Sequence, residues 1–177
     1  MRPIRDLILN TPQGRIAAIA LTIVVFDQFT KALVLRFLGY AQEKVIVDGF
    51  FKFVHWGNTG AAWSMFRGNN DFLALVAAVA LVVLYFTRHH FQVGTLLGQW
   101  AFGLIAGGIV GNLIDRILRN HVIDFLYFYV QRRGGAELGF PAFNVADSAI
   151  CTGVGLVLLL TWKDRPAEVS AVRQASD

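Results

Sequence analysis

The chain has 177 residues, 55% of them hydrophobic, with a mean hydropathy of +0.53, more apolar than a soluble core of that length requires and pointing to an integral membrane protein. The single cysteine, Cys151, lies inside an apolar run, which excludes an intrachain disulfide framework and a cysteine-based metal site and leaves it as a small packing residue. A formal net charge of +4 could suggest nucleic acid, but the basic residues are scattered among apolar segments without a basic stripe, a pattern suited to anionic lipid headgroups rather than to a nucleic-acid partner.

Residues 1–15, with Arg2, Arg5, Pro3 and Pro12, show no apolar periodicity and read as a loose tail. The first membrane helix is expected over 16–38, long enough for a hydrocarbon core of ~30 Å. Its apolar start resembles a secretory signal, yet hydrophobicity resumes after Asp27 and Lys31, so the segment is retained. Asp27 and Lys31 stand four apart with the acid first, the favourable order for a helical ion pair. They read either as a self-neutralising pair or as support for a site.

The segment 39–69 changes character. Val45 to Val47 and Phe50 to Trp56 are β-like runs around Asp48-Gly49, a strong hairpin signal. A small sheet on the membrane surface follows, with Phe50, Phe51, Phe53, Trp56, Trp63 and Phe66 at headgroup depth. Asn58 to Ala62 combines an amide with small residues, so a backbone can pass closely there.

A second membrane helix is predicted over 70–87, short for a full crossing and free of ionisable residues between Phe72 and Phe86. Arg88, His89 and His90 mark a solvated turn rather than a metal site. The third helix, 95–117, carries Gly98, Gly103, Gly107, Gly108 and Gly111, with Gly107 and Gly111 in GxxxG spacing for close helix packing. Asn112, Asp115, Arg116 and Arg119 cluster at its far end. The segment 118–140 contains His121 to Val130, an extended stretch expected to pair with Phe50 to Trp56 and to hold Asp124 above the membrane. Pro141 is placed to open the fourth helix, 141–162, with Asp147 two turns in below Asn144. Residues 163–177 form a second polar tail.

Two remote segments thus each deliver a carboxylate, Asp124 and Asp147, with Asn112 and Asn144 nearby. Acids at membrane-helix ends are costly unless paired or used. If the two share a water, repulsion in a poorly solvated site leaves the pair one proton near neutral pH, so one can act as base and the other as acid. Nothing in that chemistry requires a metal or cofactor. His-Glu-x-x-His and Gly-x-Ser-x-Gly signatures are missing from the chain.

The blocks Asp27-Gln28-Phe29-Thr30-Lys31, Asn58-Thr59-Gly60-Ala61-Ala62, Gly107-Gly108 with Gly111-Asn112 and Asp115-Arg116, His121-Val122-Ile123-Asp124-Phe125, and Phe140 to Ser148 occur in one order at the edges of apolar runs. That set resembles the bacterial lipoprotein signal peptidases, signal peptidase II, across residues 16 to 162. Trp63 stands where Phe is common in that family, and Arg132 to Gly139 makes a longer basic loop.

The resemblance implies a membrane all-α fold with a small β element: four transmembrane helices plus a short extracytoplasmic sheet. It implies an aspartic endopeptidase of the inner membrane, with Asp124 and Asp147 catalytic and Asn58, Gly60, Ala61, Asn112, Asp115, Arg116, Asn144, Asp27 and Lys31 binding substrate or supporting the site. The implied substrate is a prolipoprotein, cut before a cysteine carrying diacylglycerol; membrane lipids and globomycin-type peptide inhibitors are the other implied partners. Positive charges on the two faces nearly balance, so the count leaves orientation open; the resemblance implies cytoplasmic termini and a site on the outer face. A proton-coupled transporter would also place carboxylates on membrane helices, but would favour inverted repeats and broken helices. A purely structural subunit would need only the glycine faces and would not call for an asparagine beside each aspartate.

Overall fold

The computed structural model describes residues 10–60, 68–132, 134 and 136–174, with side chains as far as Trp162. In chain order the elements are α1 (Pro12–Phe37), β1 (Glu43–Val47), β2 (Phe51–Asn58), α2 (Asn70–Phe86), a 3-10 turn (Arg88–Phe91), α3 (Leu96–Arg119), β3 (Val122–Gln131), β4 (Glu137–Gly139) and α4 (Val145–Gln174). Among the described residues three helices are long and apolar enough to cross a membrane: α1, α3, and α4 over Val145–Trp162. At 17 residues α2 is shorter, about 26 Å of helix.

Helix α3 is the central post, packed against α1, α2 and α4. Its glycines make that possible. A Cβ on Gly103 or Gly107 would meet Ile19 or Ala20 and Ile23 of α1, whereas one on Gly108 would run into the Ala146 carbonyl oxygen of α4. Exposed Leu21, Val25, Phe29, Val79, Val83, Leu158 and Leu159 show that the outward faces are apolar, as lipid demands. Gly108→Ala should therefore destabilise the fold by about 1–3 kcal/mol from overpacking, despite the ~1 kcal/mol helix-propensity gain of alanine. Gly155→Ala, with open space around it, should be neutral or slightly stabilising. Melting temperatures of the two variants in detergent compare them directly; equal values would contradict the packing assignment.

The sheet is antiparallel in the order β1-β2-β3-β4. Gly49 takes the left-handed conformation, φ 71°, in the expected Asp48-Gly49 turn. The expected pairing of β2 with β3 is present, with a bulge between Phe53 and Trp56 and with Trp56 opposite Asp124. Lys52 Nζ, buried over the rings of Tyr127 and Tyr129, lies 2.6 Å from Glu43 of β1 and 2.8 Å from Glu137 of β4. One ammonium thus ties the outer strands across the sheet.

Several boundaries differ from the sequence reading. Helix α1 begins at Pro12 inside the predicted tail, because Thr11 caps it by accepting from Gly14 N at 3.0 Å and a proline in the first turn loses no hydrogen bond. Helix α3 runs to Arg119 and ends on Asn120 in the left-handed conformation, φ 60°. Strand β4, not foreseen, pairs Tyr129 with Gly139 and Gln131 with Glu137. Pro141 does not open the fourth helix. Phe143 N donates to Leu126 O, and Leu126 N donates back to Phe143 O, so the chain stays extended beside β3 and α4 starts only at Val145. Asp147 consequently sits in the first turn, not two turns in. The same helix continues past Trp162 to Gln174, into the predicted second tail.

Candidate active site

The site lies where the ends of α1, α3 and α4 meet β2 and β3. Asn144 occupies the cap position of α4 in a reciprocal capping box: its Oδ1 accepts from Asp147 N at 2.9 Å, and Asp147 Oδ2 accepts from Asn144 N at 3.2 Å. Its side-chain Nδ2 donates at 2.9 Å to Asp124 Oδ1. One fully buried residue therefore touches both carboxyls named from the sequence. Asp124 receives a second donor, Asn58 Nδ2, at 2.9 Å. Asp147 receives Asn112 Nδ2 at 2.7 Å.

Asp124 is 4% exposed. Burial, then the neighbouring charge of Asp147, pushes its carboxyl up to about 7, against the two amide donors that favour ionisation.

Behind the pair lies a buried ionic cluster. Lys31 Nζ is 2.8 Å from Asp27 Oδ2 and 2.7 Å from Asp115 Oδ2, all three side chains fully buried, and Asp115 Oδ1 pairs with Arg119 at 2.7 Å. Asp27 and Lys31 are thus more than a pair along one helix, since Asp27 Oδ1 also accepts from Ala146 N of α4 and Asp115 Oδ2 from Ile123 N of β3. Such a set is tolerable only because each charge is met and its remaining lone pairs are filled.

Arg116 turns away from the cluster. Its Nη2 donates to Gly60 O at 2.8 Å and its Nη1 to Asn70 Oδ1 at 3.3 Å, while Asn70 Nδ2 donates to Arg116 O. Gly60 N in turn donates to Asn58 Oδ1, which fixes the Asn58 amide with its nitrogen toward Asp124. Of the residues expected around the site, Asn58, Gly60, Asn112, Asp115, Arg116, Asn144, Asp27 and Lys31 are gathered here. Ala61, Ala62, Trp63 and Phe66 lie outside the described residues.

Two participants were missed. Gln28 Nε2 reaches Asp27, Gly111 O and Asp115, and its Oε1 accepts from Arg119; an amide inside an apolar run was the available signal. Asn70, read only as the edge of a helix, carried none. Among the described residues no group of three His, Cys, Asp or Glu side chains is placed to hold a metal ion.

Residues 19–163 match a family model described as signal peptidase (SPase) II. The lipoprotein signal peptidase of Syntrophotalea carbinolica is 38% identical over 160 residues, covering 88% of this chain and 96% of that one. That of Symbiobacterium thermophilum is 43% identical, covering 80% and 90%, and that of Bacillus subtilis 37%, covering 80% and 88%. A bacterial membrane enzyme structure obtained by the in meso method at 2.3 Å is 30% identical, with a TM-score of 0.71 over 86% of this chain and 90% of that chain.

Proposed function

The chain belongs to the signal peptidase II family, the lipoprotein signal peptidases, and from that membership we propose that Asp124 and Asp147 form the catalytic pair of an aspartic endopeptidase acting at the membrane surface. Members remove the signal peptides of lipoproteins, and the family together with the apolar helices makes this a multi-pass bacterial membrane protein. The observation that carries the proposal is the placement of Asn144 between the two carboxyls.

In the proposed reaction the ionised carboxylate takes a proton from water as the water oxygen bonds to the scissile carbonyl carbon. The protonated carboxyl gives its proton to the carbonyl oxygen, forming a neutral tetrahedral diol. Collapse breaks the carbon–nitrogen bond, with one hydroxyl proton returned to the pair and one proton delivered to the leaving amine. Products are the signal peptide, ending in a carboxyl, and a lipoprotein whose new amino terminus is the diacylglyceryl-modified cysteine. Arg116, tied to Gly60 and flanking both aspartates, and Asn58 on Asp124 hold the mouth of the site. Globomycin-type peptides would occupy the same place. The orientation that fits puts α2 across the membrane as a fourth span, with both termini in the cytoplasm and residues 39–69 and 118–140 outside; protection of the termini from protease added to intact cells is the expected result.

The purified protein in detergent should convert a diacylglyceryl-modified prolipoprotein to the shorter mature form and leave the unmodified precursor uncut. Equal cleavage of both would remove lipid recognition from the proposal, and no cleavage would remove the activity. The pH dependence has a fixed sign. Because Asp124 is raised to about 7, the pair keeps its proton below that pH and loses it above. The kcat/KM value should fall about tenfold per pH unit on the alkaline side. A flat profile to about pH 9 would contradict the assignment.

A further inference from the structure

Resting on the proposed catalytic pair, we infer that Lys31 is a positioning residue for Asp147, acting by fixing the direction of the Asn112 amide. Lys31 Nζ has three acceptors: Asp27 Oδ2 at 2.8 Å, Asp115 Oδ2 at 2.7 Å and Asn112 Oδ1 at 3.1 Å. An ammonium has three protons and no lone pair. It can therefore donate only to the oxygen end of Asn112, and Nδ2 is left to point the other way, onto Asp147 Oδ1 at 2.7 Å.

Asn144 reinforces the same sense. Its Nδ2 lies 3.2 Å from Asn112 Oδ1 and 2.9 Å from Asp124 Oδ1. Reversing Asn112 would set its NH2 group against the Lys31 ammonium and the Asn144 NH2, and its oxygen against a carboxylate. The polarity of the relay from Asp27 and Asp115 through Lys31, Asn112, Asp147 and Asn144 to Asp124 is thus set at its lysine end. The Lys31 charge also favours the ionised form of Asp124, but a charge alone does not orient the amide, whose direction follows from the donors that Lys31 and Asn144 aim at Asn112 Oδ1. What the cluster exports to the pair is a direction.

The double variant Lys31→Met/Asp27→Asn separates the two roles. It removes one positive and one negative charge, leaves the Asp115–Arg119 pair, and keeps an oxygen for Ala146 N, but it deletes the donor to Asn112. The expected result is a kcat lowered roughly tenfold to a hundredfold with KM nearly unchanged. The alkaline limb should also move to higher pH, because a pair that has lost an N–H donor holds its shared proton longer. Asn112→Leu, close in size, removes the donor to Asp147 without setting a new acid beside it, so it should give the same phenotype, and combining it with the double variant should add little further loss.

Wild-type kcat and pH profile per folded enzyme in Lys31→Met/Asp27→Asn, even with a lowered melting temperature, would overturn the inference. If that variant fails to fold, Asn112→Leu decides on the same criteria. Asp147→Asn run in parallel keeps the questions apart: if it retains activity the catalytic pair itself is wrong, whereas an inactive Asp147→Asn beside a normal lysine variant removes only the positioning role.

Discussion

Asp124→Asn and Asp147→Asn should each lower turnover of a diacylglyceryl-modified prolipoprotein by about a thousandfold or more, the scale of losing a positioned acid or base. Neither change alters side-chain volume. In Asp147→Asn the cap of α4 survives, because Asn144 Oδ1 still accepts from the backbone at position 147. In Asp124→Asn one new amide hydrogen pair faces either Asn58 or Asn144, both of which donate to Asp124, so a local rearrangement but not unfolding is expected. Asp124 has a folded-state value of about 7, above the ~3.9 of an unfolded aspartate. Its contribution to stability is therefore complete below that lower value and is lost as pH rises through the folded one. The melting temperature of the natural protein should decline across that window more than that of Asp124→Asn. Turnover within tenfold of the natural protein in either variant, measured on folded material, would sink the catalytic assignment.

Asn144→Ala is expected to produce the largest combined loss of stability and activity. It deletes the helix cap on Asp147 N, typically 0.5–2 kcal/mol, and leaves Asp124 Oδ1 short of a buried donor, roughly 1–3 kcal/mol. With the side-chain bridge gone, Asp124 is held by Asn58 and Asp147 by Asn112 and the backbone N–H of position 144, with nothing joining the two, and a displacement of about 1 Å costs ~100-fold in rate. Asn144→Asp separates these effects. It can still cap α4 but cannot donate to Asp124, and it brings a third acid into the site. It should melt nearer the natural protein than the alanine variant does, while remaining as inactive. An Asn144→Asp enzyme with normal turnover would show that the bridge is dispensable.

How far the sequence could be read is best seen element by element. The Asp48-Gly49 turn and the β2–β3 pairing were legible, since a hairpin signal and alternating apolar residues act over a few positions. The start of α4 was not. Pro141 is locally as good a first-turn residue as any, and only its neighbour's hydrogen bonds to Leu126, seventeen positions back, hold Phe143 extended. The start of α1 was missed for the opposite reason: Thr11-Pro12 is itself a capping signal, outweighed in the reading by the polar residues before it. Glu137, on a strand of three residues, gave no periodicity, and its place follows from Lys52 and Gln131 across the sheet.

By itself the sequence determined that this is a membrane protein of the signal peptidase II family, because hydropathy and the ordered polar blocks are properties of the linear chain. It also singled out Asp124 and Asp147, since acids at the ends of apolar runs stand out wherever the chain later puts them. Only the tertiary structure decided that Asn144 joins those acids, that Lys31 is shared between Asp27 and Asp115, and that Arg116 reaches Gly60 rather than a carboxylate. Each of these is a contact between segments distant in sequence, and the direction of an amide depends on which donors and acceptors the packed helices bring to its two ends.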